Sequence, residues 1–179
     1  TAGVAAQLLF EAIAAEARRR IAEFNAQNIA NTVWAFATVG VEAKPLFEMV
    51  ATEAQRRITE FNAQGMTLMV WAFACIGWTD SSIFQRLGSA IAERRNDLSE
   101  EDKSQLYQVA LYVRAQWPEL DFPLLAELES LRAACTQQLK PRPSHFQQQV
   151  SAMLEELGWS HTLEHVTVEG FSLDLAEPE

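Results

Sequence analysis

Cysteine is nearly absent: two in 179 residues, Cys75 and Cys135. That is too few for a disulfide framework, and the pair lacks metal-ligand spacing. Both read as free thiols, buried or semi-buried, of a reducing compartment. The 7 glycines are scattered, which leaves no Gly-rich phosphate loop. The three histidines, His145, His161 and His165, have no cysteine beside them, so no metal site is expected. No Ser or Cys nucleophile setting and no paired carboxylates are visible. No cofactor and no small-molecule substrate are therefore expected. Charges interrupt every apolar run well short of the ~20 residues that cross a bilayer, which excludes membrane insertion by a helix. Positive charge is the last shortage, 14 Lys and Arg against 24 Asp and Glu, net −10. This counts against nucleic-acid binding by bulk charge. Residues 1–135 hold 12 basic and 17 acidic side chains and residues 136–179 hold 2 and 7, so each part stands at −5. What matters is whether the cations collect on one face.

What the chain does have is a repeat. Phe24-Asn25-Ala26-Gln27 through Val33-Trp34-Ala35-Phe36-Ala37 and Gly40 returns 37 residues later as Phe61-Asn62-Ala63-Gln64 through Val70-Trp71-Ala72-Phe73-Ala74 and Gly77. Residues 18–40 laid over 55–77 share 14 of 23 positions, too many for two helices with a common amphipathic pattern. A period of this size marks stacked helical hairpins, each burying its apolar face on its neighbours.

The predicted organisation is mainly α, an α-solenoid over residues 1–135 with repeats at about 7–40, 44–77 and 81–116 and a partial one at 121–135. In the first, Leu9, Ile13 and Ala17 form an apolar row on a helix ending in basic residues, Asn25 caps the partner helix, and Gly40 stops it. In the second, Pro45 sits in the first turn, Asn62 caps and Gly77 stops. In the third, Ser81 or Ser82 caps one helix and Ser99 the other, and Trp117-Pro118 breaks it. A partial fourth repeat is expected as a helix from about Asp121 to Ala134. Two columns recur together: Phe10, Phe47, Phe84, Phe122 and Arg20, Arg57, Arg94, Arg132. A linker at 136–143 carries Lys140-Pro141-Arg142-Pro143. Beyond it, Ser144 caps a helix to Leu157, Gly158 ends it, and residues 162–176 alternate around Glu169-Gly170 as a β-hairpin. Helix plus hairpin is too small to stand alone, so 144–179 reads as the beginning of a small α/β domain. The chain opens at Thr1 and closes behind Pro178, and is expected to be part of a longer polypeptide.

Three sets of residues carry candidate chemistry. The Arg column places guanidiniums along one edge of a stack whose helices lie ~8–10 Å apart, suited to track a phosphate backbone. The same arginines also suit closing their own helices or pairing with Glu23, Glu60 or Asp97. The second set is where the repeats disagree: Asn28, Asn31 and Thr32 become Gly65, Leu68 and Met69, then Asp102, Gln105 and Leu106. Positions i, i+3 and i+4 share a helix face, and a face that varies on a fixed scaffold is what a reader of unpaired bases would show. An inter-repeat or solvated face would vary as well. Trp34, Trp71, Phe36 and Phe73 are read as core rather than as base-stacking platforms, given their common register and apolar neighbours. The third candidate is Asp174, an acid among apolar residues on a predicted strand.

The Phe-Asn-Ala-Gln … Val-Trp-Ala-Phe-Ala units over 1–135 resemble octotricopeptide and heptatricopeptide repeats, helical hairpins of organellar RNA-binding proteins. Ser144-His145-Phe146-Gln147, Leu154, Leu157-Gly158 and Gly170-Phe171-Ser172-Leu173-Asp174-Leu175-Ala176 resemble the start of a RAP domain, which is similar to nucleases of the restriction-endonuclease-like fold. The resemblance implies an organellar protein, mitochondrial or plastid, that binds single-stranded or ribosomal RNA in transcript stability, processing or translation, with protein partners in a ribonucleoprotein. Asp174 would then match the first acid of a nuclease site whose other residues lie outside the chain. The rival expectation is a protein-protein scaffold subunit of a large organellar assembly such as a mitochondrial ribosome.

Overall fold

The structure, a computed structural model, describes residues 2–138, 145–167 and 172–176. The chain divides into two compact parts, Thr1–Leu128 and Glu129–Glu179. The first is built from helices α1 (Ala2–Arg20), α2 (Ala26–Thr38), α3 (Lys44–Arg56), α4 (Ala63–Cys75), α5 (Ser81–Glu93) and α6 (Glu100–Gln116). They pair as three hairpins. The first helices α1, α3 and α5 pack in sequence, and so do the second helices α2, α4 and α6, giving two layers with α4 between α2 and α6. Burying both layers against each other is what makes hairpins of this size stable.

Each hairpin turns through the same device. A short 3-10 turn follows the first helix, at Ile21–Glu23, Ile58–Glu60 and Arg95–Asp97, and an extended residue, Phe24, Phe61 or Leu98, leads to the cap of the second helix. Asn25 Oδ1 accepts from the Asn28 amide and Asn62 Oδ1 from the Gly65 amide, both at 2.8 Å. Ser99 forms a reciprocal capping box with Asp102, which satisfies two amides that the helix itself leaves open. Gly40 and Gly77 close α2 and α4 with φ of 68° and 67°, values that a side chain resists. The cap of α5 is Asp80, which accepts from the Ser82 amide, rather than Ser81 or Ser82. An ionised carboxylate holds that helix N-terminus better than the hydroxyls behind it.

The core repeats too. Phe10 meets Phe36 edge-on with centroids 5.2 Å apart, and Phe47 meets Phe73 at 5.6 Å. In the third hairpin the corresponding residue is Ala110, and Tyr112 and Trp117 close on Phe84 instead. The Phe122 ring lies on Gly88. Leu9 and Ile13 depart from the expected apolar row: they are 59% and 42% exposed, whereas Leu46 and Val50, their counterparts in α3, are fully buried. The helix that covers α3 is α1, and among the described residues no element covers the same face of α1.

The predicted fourth first-helix begins as a 3-10 segment, Pro123–Glu127, before α7 (Leu128–Gln138). The first three residues assigned to the linker are therefore helical, since nothing before Pro141 breaks a helix. The rest of the linker and the Ser144 cap lie outside the described residues. In the second part, α8 (His145–Glu156) is followed by antiparallel strands β1 (Thr162–Val166) and β2 (Ser172–Ala176), with Leu163 opposite Leu175 and His165 opposite Leu173. The expected Glu169-Gly170 turn lies outside the described residues. No helix among them is long and apolar enough to cross a membrane.

Candidate nucleic-acid interface

Residues at i, i+4, i+7 and i+11 of an α-helix form one stripe. On α2 that stripe is Gln27, Asn31, Trp34 and Thr38, and on α4 it is Gln64, Leu68, Trp71 and Cys75. On α6 the corresponding stripe is Glu101, Gln105, Gln108 and Tyr112. None of the twelve is buried. Because α2, α4 and α6 lie side by side, the stripes join into one surface whose only charged residue is Glu101. Beside the Glu101 carboxylate its polar groups are side-chain amides, indole N–H groups, the Cys75 thiol and the Thr38 and Tyr112 hydroxyls, which donate to the Trp34 and Trp78 carbonyls.

Trp34 is 39% exposed and Trp71 half-buried, so neither indole belongs to the core, in contrast to Phe36 and Phe73. Phe36 stands two positions beyond Trp34, which turns the indole well away from the Phe side of the helix. Trp71 Nε1 donates to Gln108 Oε1 at 2.9 Å. Gln108 is the residue one repeat further on, so the bond runs along the stack. Gln27, Gln64 and Gln108 are not candidates from sequence reasoning, although the 37-residue alignment sets Gln108 in the tryptophan column.

The variable positions divide by depth. Asn28 and Asn31 are exposed and Thr32 half-buried, while Leu68 and Gln105 are half-buried. Met69 and Leu106 are fully buried, Asp102 is 5% exposed, and Gly65 is interior. A Cβ on Gly65 would sit 3.7 Å from that of Ala30, so the 28/65/102 and 32/69/106 columns are where one second helix meets the preceding one. In α2 that side carries Asn28 and Thr32 and meets no further second helix among the described residues; in α4 and α6 it is closed. The Thr32 hydroxyl donates to the Asn28 carbonyl of its own helix at 2.7 Å.

The arginines stand at the junction of each first helix with its 3-10 turn, with φ near −114°, −117° and −111° at Arg20, Arg57 and Arg94. Arg20 pairs with Glu23 at 2.7 Å and Arg57 with Glu60 at 2.6 Å. Arg57 Nη1 also donates to the Phe24 carbonyl at 2.8 Å, and its side chain is only 11% exposed. Hydrogen bonding to Arg57 holds the Glu60 carboxyl below its usual range and in turn raises Arg57. Arg94 donates to Ala90 O at 3.0 Å and is 31% exposed; Arg20 is 47% exposed. Arg132, in the second compact part, is 40% exposed and 3.9 Å from Glu129.

Two grooves repeat along the stack, one with Gln27, Asn31, Glu60, Gln64 and Leu68, the next with Gln64, Arg94, Asp97 and Glu101. They have volumes of about 270 and 540 Å³. Each sits at the capped N-termini of the second helices and opens beside the uncharged stripe.

Among the remaining candidates, Cys75 is exposed, against the expectation of a buried or semi-buried thiol, and its partly protein-lined surroundings push the thiol up. Cys135 lies within α7. His161 Nε2 is 2.6 Å from the Ser151 hydroxyl and Nδ1 is 3.0 Å from the Trp159 carbonyl. The described residues hold no cluster of three metal-binding side chains. Asp174 lies on β2 between Leu173 and Leu175.

Residues 1–122 match the family model of the RNA-editing substrate-binding complex 6 protein, over half of the chain. The matched model is of neither the octotricopeptide or heptatricopeptide repeats nor the RAP domain. No curated protein and no solved structure matches the chain.

Proposed function

The chain belongs to the RNA-editing substrate-binding complex 6 protein family, and on that premise we propose that it is a non-catalytic RNA-binding subunit of an organellar RNA-processing complex. The observation that carries this reading is the continuous, almost uncharged face of α2, α4 and α6, repeated every 37 residues. A surface of amides and aromatic rings suits unpaired bases, which display hydrogen-bonding edges and π-faces, better than it suits a duplex backbone. Arg20, Arg94 and Arg132, the more exposed members of their column, supply phosphate contacts. Asn31, Leu68 and Gln105 are the variable positions open to a base, and Asn28 and Thr32 hold on α2 the positions that pack in α4 and α6. Gly65, Met69 and Leu106 act through packing, by setting how closely successive repeats approach, and Asp102 through its capping box with Ser99.

The family description names a complex, so protein partners belong to this reading beside RNA, and a mitochondrial location is part of it, with the plastid as the alternative. We read the repeats as octotricopeptide-like and residues 144–179 as the start of a RAP-like α/β domain, with Asp174 at the place of its first acid. The net charge of −10 and the acids beside the arginines favour a second reading, a scaffold subunit of an organellar assembly such as a mitochondrial ribosome, contacting proteins alone.

Binding to single-stranded RNA across a salt series separates the two. An RNA-binding array shows an affinity that falls with salt, and replacing Arg20 and Arg94 by Ala flattens the slope by about 0.7 for each phosphate that is no longer neutralised. Absence of binding at low salt, with retention of protein partners, establishes the scaffold.

A further inference from the structure

The geometry of the second-helix layer points to an aromatic ladder for unpaired bases: we infer that Trp34 and Trp71 each stack one base of a single-stranded nucleic acid. This rests on the RNA-binding reading and adds to it the chemistry of recognition and the residues that perform it. Three observations converge. The two indoles occupy the same position of successive repeats and neither is in the core. Helices packed side by side lie ~8–10 Å apart axis to axis, a repeat spacing that suits one base per repeat, as in other helical arrays that read single strands. Trp71 is anchored by its bond to Gln108, which fixes the ring along the stack and lowers the entropic cost of binding.

The surroundings match a base rather than a peptide carboxylate or a phosphate. The Asn31 and Gln105 side chains lie one turn from the aromatic position on their helices, and an amide pairs with base edges as donor and acceptor at once. The groove beside Gln64 holds Arg94 together with Asp97, Glu101 and Asp102, so it offers no net positive charge to a phosphate and leaves recognition to the ring faces. In this arrangement most of the affinity comes from the ring faces, which accounts for how a chain of net charge −10 holds RNA with few free cations.

The test compares the intact chain and its Trp34→Ala and Trp34→Phe variants in fluorescence-anisotropy binding to an oligoadenylate of about twelve nucleotides and to an abasic strand of equal length. Helical circular dichroism of each variant, expected to be unchanged because Trp34 is 39% exposed, checks that the fold is kept. Trp34→Ala is expected to weaken binding to oligoadenylate about 5- to 150-fold, with little effect on the abasic strand, and Trp34→Phe to recover most of the affinity. Equal binding of oligoadenylate by chain and variant, or equal wild-type binding of both strands, overturns the ladder while leaving phosphate-directed RNA binding intact. If the wild type binds neither strand, the RNA-binding reading fails as well. If Trp34→Ala instead releases a copurifying protein, the surface is a protein-docking face and the inference is wrong.

Discussion

Arg57 Nη1 donates a 2.8 Å hydrogen bond to the carbonyl oxygen of Phe24, 33 residues earlier and in the preceding hairpin. The same guanidinium grips Glu60 of its own 3-10 turn. One side chain therefore ends a helix and ties it to its neighbour. Its column mates differ, since among the described residues Arg20 pairs with acids of its own hairpin and Arg94 turns back on its own helix.

Arg57→Ala is expected to lower stability by about 1.5–3 kcal/mol, the range for a half-buried hydrogen bond from a charged donor. Arg20→Ala is expected to cost no more than about 1 kcal/mol, as exposed pairs do. Denaturant midpoints at unchanged m-value measure both. Equal effects would mean that the bond to Phe24 contributes nothing.

Glu60 carries the pH signature of the same junction. Its folded pKa lies below the unfolded value, so its contribution is present above the unfolded carboxylate range and is lost as pH falls through the folded value. Glu60→Gln should leave a flatter stability profile on the acid side of about pH 4.5 and no change in slope near neutrality. Parallel acid limbs for the two proteins would show that the pair does not form.

Gly88→Ala sets helix propensity against packing. Alanine is favoured over glycine inside a helix by about 1 kcal/mol, but a Cβ here would lie 2.8 Å from Cδ2 of the Phe122 ring. Overpacking wins if the ring is held, and the substitution then destabilises by about 1–3 kcal/mol. A stabilised variant in thermal unfolding would place Phe122 elsewhere.

Thr67 Oγ1 is buried among the described residues without a hydrogen-bond partner. Thr67→Val keeps the branched shape and removes the stranded hydroxyl. Chemical denaturation should find it neutral or more stable by up to about 1 kcal/mol; a decrease beyond that would reveal a partner, such as a buried water.

The hairpin ends are legible in sequence because their determinants are local. Asn25, Asn62 and Ser99 each put a side-chain oxygen ahead of an apolar helix, and Gly40 and Gly77 each follow one. Asp80 is masked by the two serines behind it, which offer the same chemistry. The tryptophans depart from the core expectation for a different reason: a repeat aligned to itself shows that Trp34 and Trp71 are equivalent but not which side of α2 and α4 is turned outward. Asn28 against Gly65 and Thr32 against Met69 look like free variation in sequence, yet Gly65 and Met69 face a neighbouring helix while Asn28 is exposed and Thr32 half-buried. That distinction requires the stack, as does Phe122 on Gly88.

The most direct measurement of the central claim is ultraviolet crosslinking of the protein to single-stranded RNA, with the attached nucleotides located by peptide mass spectrometry. Crosslinks are expected in residues 27–38 and 64–75, on the stripes that hold Trp34 and Trp71. Crosslinks confined to α1, α3 and α5, or none at concentrations where RNA is retained, would contradict that claim.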